Sequence, residues 1–552
     1  MKKIFVIFVI LLFLLSSCES YISESEIDTI ATIANNAYWR YKTDIAEPLP
    51  SSTNTLVPTI ANTLTQIPTS THIPTIIFTQ TQIPTSTSTK TIVPTNIPTK
   101  TFTPTKTFVP TIMPTNTLLP TNTNTVIPTS IPTIAPTQAP VIFGYYVSND
   151  GNDANSGTIN SPWKTLQYAS TKIKAGDTLY IRGGTYKEVT SWNADGTQSK
   201  PIQIMNYPGE QVIIDGYDTI PANVGGTWMF MVWGDWYYVS GLEITRSFDE
   251  GAIGVKGEYV TIDNCYIHHN WAAAITMMGN YGTAQNNRVW YNGISNEFGS
   301  RSRGGWPAVL TCARYPSHCT LKGNVSWENW GEGISTFESY YTTIEDNVSY
   351  NNLQNFYMSD TKYSVMQRNI SYCTAGNIVD PYSTQSGILY GDEKRNPASS
   401  DNKIINNIVY GCDRNLAIGT TESINTLVSN NTFVNADGDT NVLMYSGTCT
   451  NCQFKNNLIL QEGSISININ GGTGWSFSNN LWSKTPSKVT GTNNIIGDPK
   501  LAKNGSYTSG EWYRLLYSSP AINKAIAISG IESDYFNFTR FDLPDIGAIE
   551  YH

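Results

Sequence analysis

The sequence predicts an all-β protein and, within that class, a right-handed parallel β-helix over residues 141–552. Three observations predict it. Short apolar strands alternate with polar residues, an asparagine recurs at a nearly regular spacing, and no long helical pattern separates the strands. Such repeats stack as rungs along one axis, because each rung buries its apolar face only against its neighbours.

The repeat is marked by an asparagine that precedes a short apolar strand. Most steps between these asparagines span 22–26 residues, and two span 37 and 38. Stacked amides can hydrogen-bond from rung to rung, about 4.8 Å apart. A propeller or a sandwich would need longer antiparallel strands and two-residue hairpin turns, which are scarce here. The column contains Asn264, Asn287, Asn324, Asn347, Asn369, Asn407, Asn431, Asn457 and Asn480.

A capping helix is predicted at the start of the array. Ser161 reads as its N-cap, followed by Pro162 at the first helical position. Leu166, Ala169 and Ile173 then mark one apolar helical face. We expect this helix to cover the open edge of the first rung.

The N-terminus predicts export and lipidation. Residues 1–17 contain two lysines and then an apolar run over 4–15, which suits a signal peptide. The following Cys18 resembles the lipidated cysteine of a bacterial lipobox; the alternative is an ordinary cleavable signal. Residues 18–47 form a short polar segment. We therefore expect a lipid-anchored protein on the bacterial cell surface or outside the cell, which meets the membrane only through its N-terminal lipid.

Residues 48–140 predict a disordered linker rather than a domain. They hold 16 of the 28 prolines and many threonines, and such a segment cannot bury enough apolar surface to fold. The net charge of the chain is −9, which argues against nucleic acid as a partner. We expect a monomer that binds polysaccharide.

The cysteines predict disulfides in an exported domain. Besides Cys18 there are seven, of which Cys312 and Cys319 are the best pair. Cys449 and Cys452 could pair as well, or simply fill turns. The odd count leaves at least one free thiol, expected to be buried.

Two long steps of the repeat place extra loops over the rungs between them. They lie within residues 288–322 and 370–406. Long loops on a rigid scaffold are the usual place for binding, although solvated loops with ordinary charges are the alternative. Their arginines could hold carboxylates and an aromatic ring could face a sugar. The candidate substrate-binding residues of these loops are Arg301, Arg303, Trp306 and Tyr382.

Three consecutive repeat segments predict a ladder of carboxylates. GISTFES, NFYMSDT and GILYGDE align Glu338, Asp360 and Asp392. Neighbouring members would lie roughly 5 Å apart. Such carboxylates could act as a catalytic pair, or begin a calcium site, and calcium is the one cofactor considered. The alternative is that they are ordinary turn residues.

Further candidates lie near this ladder. Glu332 and Arg314 are added as catalytic candidates, and Lys362 as a substrate-binding residue that could replace a base if its pKa were strongly lowered. His268 and its neighbour His269 could serve as base, although a satisfied turn histidine is the alternative. The candidate sugar platforms are Trp271 and Trp330.

The two ends of the array resemble bacterial pectate-lyase-like β-helix proteins. The opening YYVSNDGNDANSG at 145–157 and the closing SSPAIN and PDIGAIEY at 518–523 and 544–551 carry this resemblance. It implies the pectin-lyase-like solenoid fold. It does not fix a reaction, because this fold hosts lyases, hydrolases and non-enzymes.

The stretch GGWPAVLTCARYPSHCTLKGNVSWENWGEGI at 304–334 resembles the active stretch of family 9 polysaccharide lyases. That resemblance implies a lysine base on a strand and aspartates that hold calcium. Here the lysine position is Val309, and the aspartate positions fall at Gly304 and near Gly331 and Glu332. The resemblance therefore supports the fold and weakens that mechanism.

Together these features predict a surface-anchored carbohydrate-active protein. The first hypothesis is a polysaccharide lyase on a uronate-containing extracellular glycan. A glycoside hydrolase on the same fold is its nearest variant. A non-catalytic glycan-binding or adhesion module is the alternative from another class, and a purely structural spike is the third.

Overall fold

The structure is a computed structural model that describes residues 143–217, 227–247, 249–295, 307–374, 384–420, 422–438, 440–445, 447–465, 467, 469, 473–487, 489 and 491–552. The predicted signal peptide, Cys18 and the threonine- and proline-rich linker lie outside this part of the chain. No helix within the described ranges is long and apolar enough to cross a membrane.

The described residues form three sheets of parallel strands, and the chain visits the sheets in turn. Each turn of the chain is one rung of the predicted parallel β-helix, which the structure confirms. Besides the strands there are one short α-helix, α1 (Leu166–Ser170), and a 3-10 helix at Gly510–Tyr513.

Sheet 1 contains the strands β1 (Tyr145–Val147), β2 (Thr178–Ile181), β5 (Ile202–Asn206), β8 (Tyr237–Ser240), β11 (Thr261–Asp263), β14 (Thr283–Gln285), β17 (Thr320–Lys322), β20 (Thr343–Glu345), β23 (Val365–Gln367), β26 (Lys403–Ile405), β29 (Glu422–Ile424), β30 (Leu427–Ser429), β33 (Thr448–Lys455), β35 (Thr473–Ser478) and β37 (Gly491–Thr492).

Sheet 2 contains the strands β4 (Thr190–Trp192), β7 (Trp228–Val232), β10 (Gly251–Val255), β13 (Ala273–Met277), β16 (Ala308–Ala313), β19 (Glu332–Tyr340), β22 (Gln354–Lys362), β25 (Ser386–Asp392), β28 (Arg414–Thr420) and β32 (Val442–Met444), which are neighbours in this order.

Sheet 3 contains the strands β3 (Gly184–Tyr186), β6 (Val212–Asp215), β9 (Leu242–Thr245), β12 (Tyr266–His268), β15 (Arg288–Trp290), β18 (Val325–Trp327), β21 (Val348–Tyr350), β24 (Ile370–Tyr372), β27 (Ile408–Tyr410), β31 (Thr432–Val434), β34 (Leu458–Leu460), β36 (Leu481–Trp482) and β38 (Ile495–Ile496).

The core of the helix is built from columns of apolar residues that share one register position. Each such side chain contributes on the order of 2 kcal/mol when it is fully buried, so a column of this length is a large part of the stability. In sheet 2 one fully buried column consists of Phe230, Ile253, Ile275, Leu310, Ile334, Phe356, Ile388, Leu416 and Val442.

The predicted asparagine column is present between sheets 1 and 3. From Asn287 to Asn480 each side-chain amide donates to the next amide oxygen at 2.9–3.2 Å. The inclusion of Asn264 was wrong: Asn287 accepts from the backbone N–H of Cys265, and Asn264 lies one residue earlier in a left-handed turn with φ 49°.

A second asparagine column, which the sequence analysis missed, lies between sheets 3 and 2. Asn270, Asn292, Asn329 and Asn352 bond in series at 2.7–3.0 Å. These amides satisfy the buried backbone of each turn. The column fixes the turns from which the strands of sheet 2 begin.

The predicted entry helix is shorter and starts later than expected. Its N-cap is Thr165, whose hydroxyl accepts from the N–H of Tyr168, so the prediction of Ser161 as N-cap was wrong. The reason is that the chain is extended at Trp163, which bonds to the backbone beside Val147 and stacks on Tyr145 at 4.8 Å. Leu166 and Ala169 of the predicted apolar face are buried in the core, as is Ile173, which lies beyond the end of the helix at Ser170.

The cysteine predictions are confirmed. Cys312 is bonded to Cys319 and Cys449 to Cys452, and Cys265 is a buried free thiol. A third disulfide, which the sequence analysis did not assign, joins Cys373 to Cys412.

The C-terminal segment covers part of the outer face of sheet 3. Side chains such as Leu501, Tyr513 and Ile546 pack on Ile408 and Leu458 of that sheet. Sheet 2 has no such cluster with this segment among the described residues, so its outer face is the place to look for a site.

Candidate active site on the outer face of sheet 2

Sheet 2 carries the longest strands in the described ranges, β19 and β22, with nine residues each. Successive side chains of a strand point to opposite faces. Because Ile334 and Thr336 are buried in the interior, Ser335 and Phe337 belong to the outer face. In β22 the register partners of these two residues are Tyr357 and Ser359.

Glu332 is the first residue of β19, and it is only 8% exposed. The alternation breaks at Gly333, where a Cβ would meet the interior residues Asn352 and Ser349, so Glu332 lies on the outer side with Ser335. Burial raises the pKa of its carboxyl to about 8; a side-chain hydrogen bond with Ser335 opposes this shift, and the nearby charge of Glu393 adds to it. The Ser335 hydroxyl also lies 3.0 Å from the Thr311 hydroxyl, to which it donates. A carboxyl of this kind exchanges a proton near neutral pH.

Tyr357 lies beside Glu332 on the neighbouring strand, and it is 6% exposed. Its hydroxyl donates to Glu393 Oε1 at 2.8 Å. Burial, and then the negative charge of Glu332, raise the pKa of the phenol far above its usual value. Tyr357 therefore stays protonated and can only donate its proton to a strongly basic oxygen.

The segment after β25 brings two more charged groups to the same place. Asp360 accepts from the backbone N–H of Glu393 at 3.0 Å and from that of Arg395 at 2.7 Å. The guanidinium of Arg395 then lies 4.8 Å from the Phe337 ring, 3.5 Å from Glu338 and 3.7 Å from Glu393. The outer face thus holds a carboxyl, a phenol and a guanidinium together.

The predicted carboxylate ladder exists as a row of strand ends, but its members have different surroundings. Asp360 is fully buried, and its oxygens accept from two backbone N–H groups and from Ser359. Asp392 accepts from the N–H groups of Lys394 and Ser399. Their positions suit the turn interpretation, whereas Glu338 lies beside Arg395.

These carboxylates do not fit the predicted calcium site. Within the part of the chain that the structure describes, no group of three or more His, Cys, Asp or Glu side chains could hold a metal. The oxygens of Asp360 and Asp392 already accept hydrogen bonds from the backbone, which leaves few of them for a hard cation that needs six to eight oxygens. A calcium requirement stays a prediction.

The remaining predicted residues are scattered. Arg314 lies on the outer face of sheet 2, with its guanidinium 3.2 Å from Glu250. Lys362 lies at the far end of β22, against the Tyr363 ring and away from Glu332. Trp330 is 6% exposed and packs against the Tyr291 ring, with 4.3 Å between the ring centroids.

Other predicted residues are half-buried or outside the structure. Trp271 is half-buried at the turn before β13. His268 lies on sheet 3, 3.2 Å from Glu243 and stacked on Trp290, which matches the alternative of a satisfied histidine. The predicted residues outside the described ranges are Arg301, Arg303, Trp306 and Tyr382.

Tyr357 was not predicted as a site residue, and Glu393 had no predicted role. A signal for Tyr357 was present: in the aligned segments it occupies the outward position of Ser335 and Leu389, next to the inward Phe356. A large phenol in an outward column beside an acidic residue points to chemistry rather than to packing.

Residues 145–365 match the family model described as Pel9A-like, right handed beta helix region. Pectate lyase L of Dickeya dadantii (strain 3937) is 24% identical over 432 residues, which cover 74% of this chain and 90% of that enzyme. The described domain is a pectate-lyase-like right-handed β-helix. Pectate lyase PEL9 of Emericella nidulans is 45% identical over 73 residues, 13% of this chain and 18% of that protein. The crystal structure of pectate lyase Pel9A has 18% identity and a TM-score of 0.47, and covers 74% of this chain and 96% of that chain.

In this pectate-lyase-like β-helix, the position that the family 9 resemblance assigns to a lysine base is closed. Val309 is fully buried in the core of β16, and its side chain faces the interior. That position offers no titratable group to the outer face, and the buried carboxyl on the neighbouring strand belongs to Glu332, the register partner of Ala308.

Proposed function

We propose that this protein is a polysaccharide lyase that cleaves a uronate-containing extracellular glycan by β-elimination. The observation that carries the proposal is the buried Glu332 carboxyl, with its raised pKa, beside the protonated Tyr357 on the outer face of sheet 2. The similarity to pectate lyase L over 90% of that enzyme supports the reaction class.

In this proposal Glu332 is the base. β-Elimination removes the C5 proton of the uronate, forms a double bond between C4 and C5, and breaks the bond from C4 to the glycosidic oxygen. The ionised Glu332 takes the proton, and a carboxylate with a raised pKa is a stronger base than an ordinary one. Its hydrophobic and largely closed surroundings strengthen this effect.

Tyr357 is the acid. The departing glycosidic oxygen receives the phenolic proton of Tyr357, because an alkoxide is basic enough to remove it. The resulting phenolate then recovers a proton from the neutral Glu332, which returns both groups to their starting states. The two residues lie on neighbouring strands, where the charge of Glu332 acts on the Tyr357 phenol.

Arg395 holds the carboxylate of the sugar. A guanidinium can bind a carboxylate through two hydrogen bonds, and this charge stabilises the carbanion-like transition state. Its ion pairs with Glu338 and Glu393 are long, at 3.5 and 3.7 Å, and its side chain is about half exposed, so an incoming carboxylate can compete for it.

The test is a product assay with the full chain on a panel of acidic and neutral polysaccharides, with and without calcium. A lyase gives ultraviolet absorbance from the new double bond together with new reducing ends. Glu332→Gln should lower the rate of both signals about a hundredfold or more, and Glu422→Gln, at an exposed position of sheet 1, should leave both unchanged. Absence of the absorbance on every uronate polymer would overturn the proposal.

A glycoside hydrolase is the second candidate, because the charge of Glu393 helps to raise the pKa of Glu332. A protonated and an ionised carboxyl that influence each other are the arrangement that hydrolases use. In that case Glu332 would be the acid, and reducing ends would form without ultraviolet absorbance.

The location is a separate proposal. Cys18 would carry the lipid, and the linker would hold the β-helix away from the membrane. Labelling of cells with a radioactive fatty acid tests it: the unsubstituted protein should be labelled and Cys18→Ser should not.

A further inference from the structure

A tryptophan and a lysine lie side by side on the outer face of sheet 2, away from Glu332. Trp233 follows β7 and is 49% exposed. Lys256 follows β10, and its ammonium lies 5.5 Å from the centre of the Trp233 ring. The N–H of Lys256 donates to Val232 at 2.8 Å, so the strand pairing continues to these two residues. Their placement is fixed by the sheet.

These residues share one outward column with Phe337, the ring beside Arg395 in the candidate active site. The register pairs Val232, Val255, Met277, Cys312 and Thr336 on successive strands. The following residues, Trp233, Lys256, Met278, Ala313 and Phe337, therefore lie on successive rungs. β7 is four strands from β19, which corresponds to about 19 Å at a strand spacing of ~4.8 Å.

The outer face of sheet 2 is apolar between Trp233 and Phe337. Trp228, Met231, Ala273 and Met278 form a cluster on this face. A Cβ at Gly254 would lie 2.7 Å from Met231 and Trp228, so this position does not accommodate a larger residue without a shift. Arg314 lies over this apolar surface, with Nη1 3.9 Å from Met278 Sδ.

This face suits an acidic polysaccharide that runs parallel to the helix axis. The C–H faces of sugar rings pack on apolar and aromatic surfaces, and Trp233 offers such a face. Cations lie on or beside this column: Lys256 belongs to it, Arg314 contacts Met278, and Arg395 lies over Phe337. The carboxylates of a uronate polymer would meet this positive charge, and a neutral glycan would gain nothing from it.

We propose that Trp233 and Lys256 form a distal subsite, which binds a uronate residue of the same polysaccharide chain that is cleaved at Glu332. The Trp233 ring packs on the sugar, and the Lys256 ammonium pairs with its carboxylate. This inference rests on the proposed function for the position of cleavage, but binding to the distal subsite does not require cleavage.

The test measures binding without turnover. The probe is polygalacturonate, added to the full chain carrying Glu332→Gln, with the carboxyl-reduced polymer as a neutral comparison. Trp233→Ala should weaken the affinity for polygalacturonate about tenfold. Trp233→Phe, which keeps a ring, should lose less. Lys256→Gln should weaken binding of polygalacturonate, reduce its salt dependence and leave binding of the reduced polymer unchanged.

Matched controls lie on the C-terminal segment. Tyr517→Ala removes an aromatic side chain that is 84% exposed, and Lys524→Gln removes an exposed lysine. Neither should change the affinity. The distal subsite is overturned if Trp233→Ala binds polygalacturonate as tightly as its parent, if the controls lose as much, or if the parent does not bind at all.

The two proposals fail separately. If the unsubstituted chain produces the unsaturated product but Trp233→Ala binds normally, only the distal subsite fails. If Trp233→Ala loses affinity but no polymer is cleaved, only the proposed reaction fails. With cleavage, Trp233→Ala should raise KM for the polymer and leave KM for a trisaccharide unchanged, because a trisaccharide held at Glu332 does not reach β7.

Discussion

The two ends of β19 and β22 hold buried carboxyls with opposite surroundings. At the first end, Glu332 shares a hydrogen bond with a serine hydroxyl, and burial raises its pKa to about 8. At the other end, Asp360 accepts from two backbone N–H groups and a hydroxyl and is fully buried. Both are buried acidic side chains of sheet 2, and they differ in the number of hydrogen-bond donors that reach the carboxyl.

This difference indicates which of the two buried carboxyls can take part in proton transfer. Donors that are aimed at a carboxylate hold its charge in place and tie the group to the chain. A carboxyl with few donors exchanges its proton more readily, at a cost in stability whenever it is ionised. Glu332 therefore suits proton transfer, and Asp360 suits the positioning of the segment that carries Glu393 and Arg395.

The largest expected effect is a loss of stability with rising pH that comes from Glu332. The pKa of Glu332 is raised from 4.5 to about 8 in the folded protein, so the stability from its neutral form is present below 4.5 and is lost as the pH rises through about 8. Relative to Glu332→Gln, the unsubstituted protein should lose on the order of 5 kcal/mol across this window, at about 1.4 kcal/mol per pKa unit. Urea unfolding at several pH values measures it.

The exposed Glu422→Gln provides the control for this titration, since it should show no such trend relative to the unsubstituted protein. A constant stability difference between the unsubstituted protein and Glu332→Gln from acid to neutral pH would show that Glu332 is not a desolvated carboxyl, and the comparison between the two strand ends would lose its basis.

The second effect concerns the opposite end. Asp360→Ala removes the acceptor of the Glu393 and Arg395 N–H groups and of the Ser359 hydroxyl, and should lower the free energy of unfolding by about 3 kcal/mol. Asp401→Ala, which loses one exposed bond from Asn425, should cost under about 0.5 kcal/mol in the same urea experiment. Equal costs would contradict the structural role of Asp360.

The fold could be predicted from the sequence because the features that indicate it repeat along the chain. Rung length, the asparagine column and the inward apolar positions repeat many times, so one misplaced member such as Asn264 does not change the result. The family model and the parallel sheets confirm the pectate-lyase-like helix. Ser161 failed as N-cap because a tertiary contact of Trp163 outweighed a local helix signal.

The site was harder to predict, because it depends on what surrounds each carboxyl. The aligned segments placed Glu338, Asp360 and Asp392 in one row, but the sequence does not show that backbone N–H groups from a later segment bind Asp360. The same alignment contained Tyr357 in an outward column. Its meaning depends on the burial of Glu332 beside it, which only the assembled sheet reveals.

The third effect tests the chemistry of the Glu332 end. Glu332→Gln should lower kcat about a hundredfold or more, the usual loss when a general base is removed. As the base of a lyase, Glu332 makes kcat/KM rise with pH and level off near 8. A decline of kcat/KM through the same pH would assign Glu332 as an acid and favour the hydrolase.

The smallest effect distinguishes the acid from the base. Tyr357→Phe keeps the ring but removes the proton donor, and should lower kcat about tenfold on a polysaccharide, because water can still protonate part of the departing oxygen. An aryloxide that leaves from C4 needs no proton, so the same variant should cleave a uronate carrying an aryl ether at O4 nearly as fast as the unsubstituted protein, whereas Glu332→Gln should fail on both substrates. Tyr341→Phe, at a ring 46% exposed on the turn after β19, is the control and should be neutral on both. If Tyr357→Phe loses equally on the two substrates, Tyr357 acts before the bond breaks, and its bond to Glu393 is then a positioning contact rather than the source of the proton.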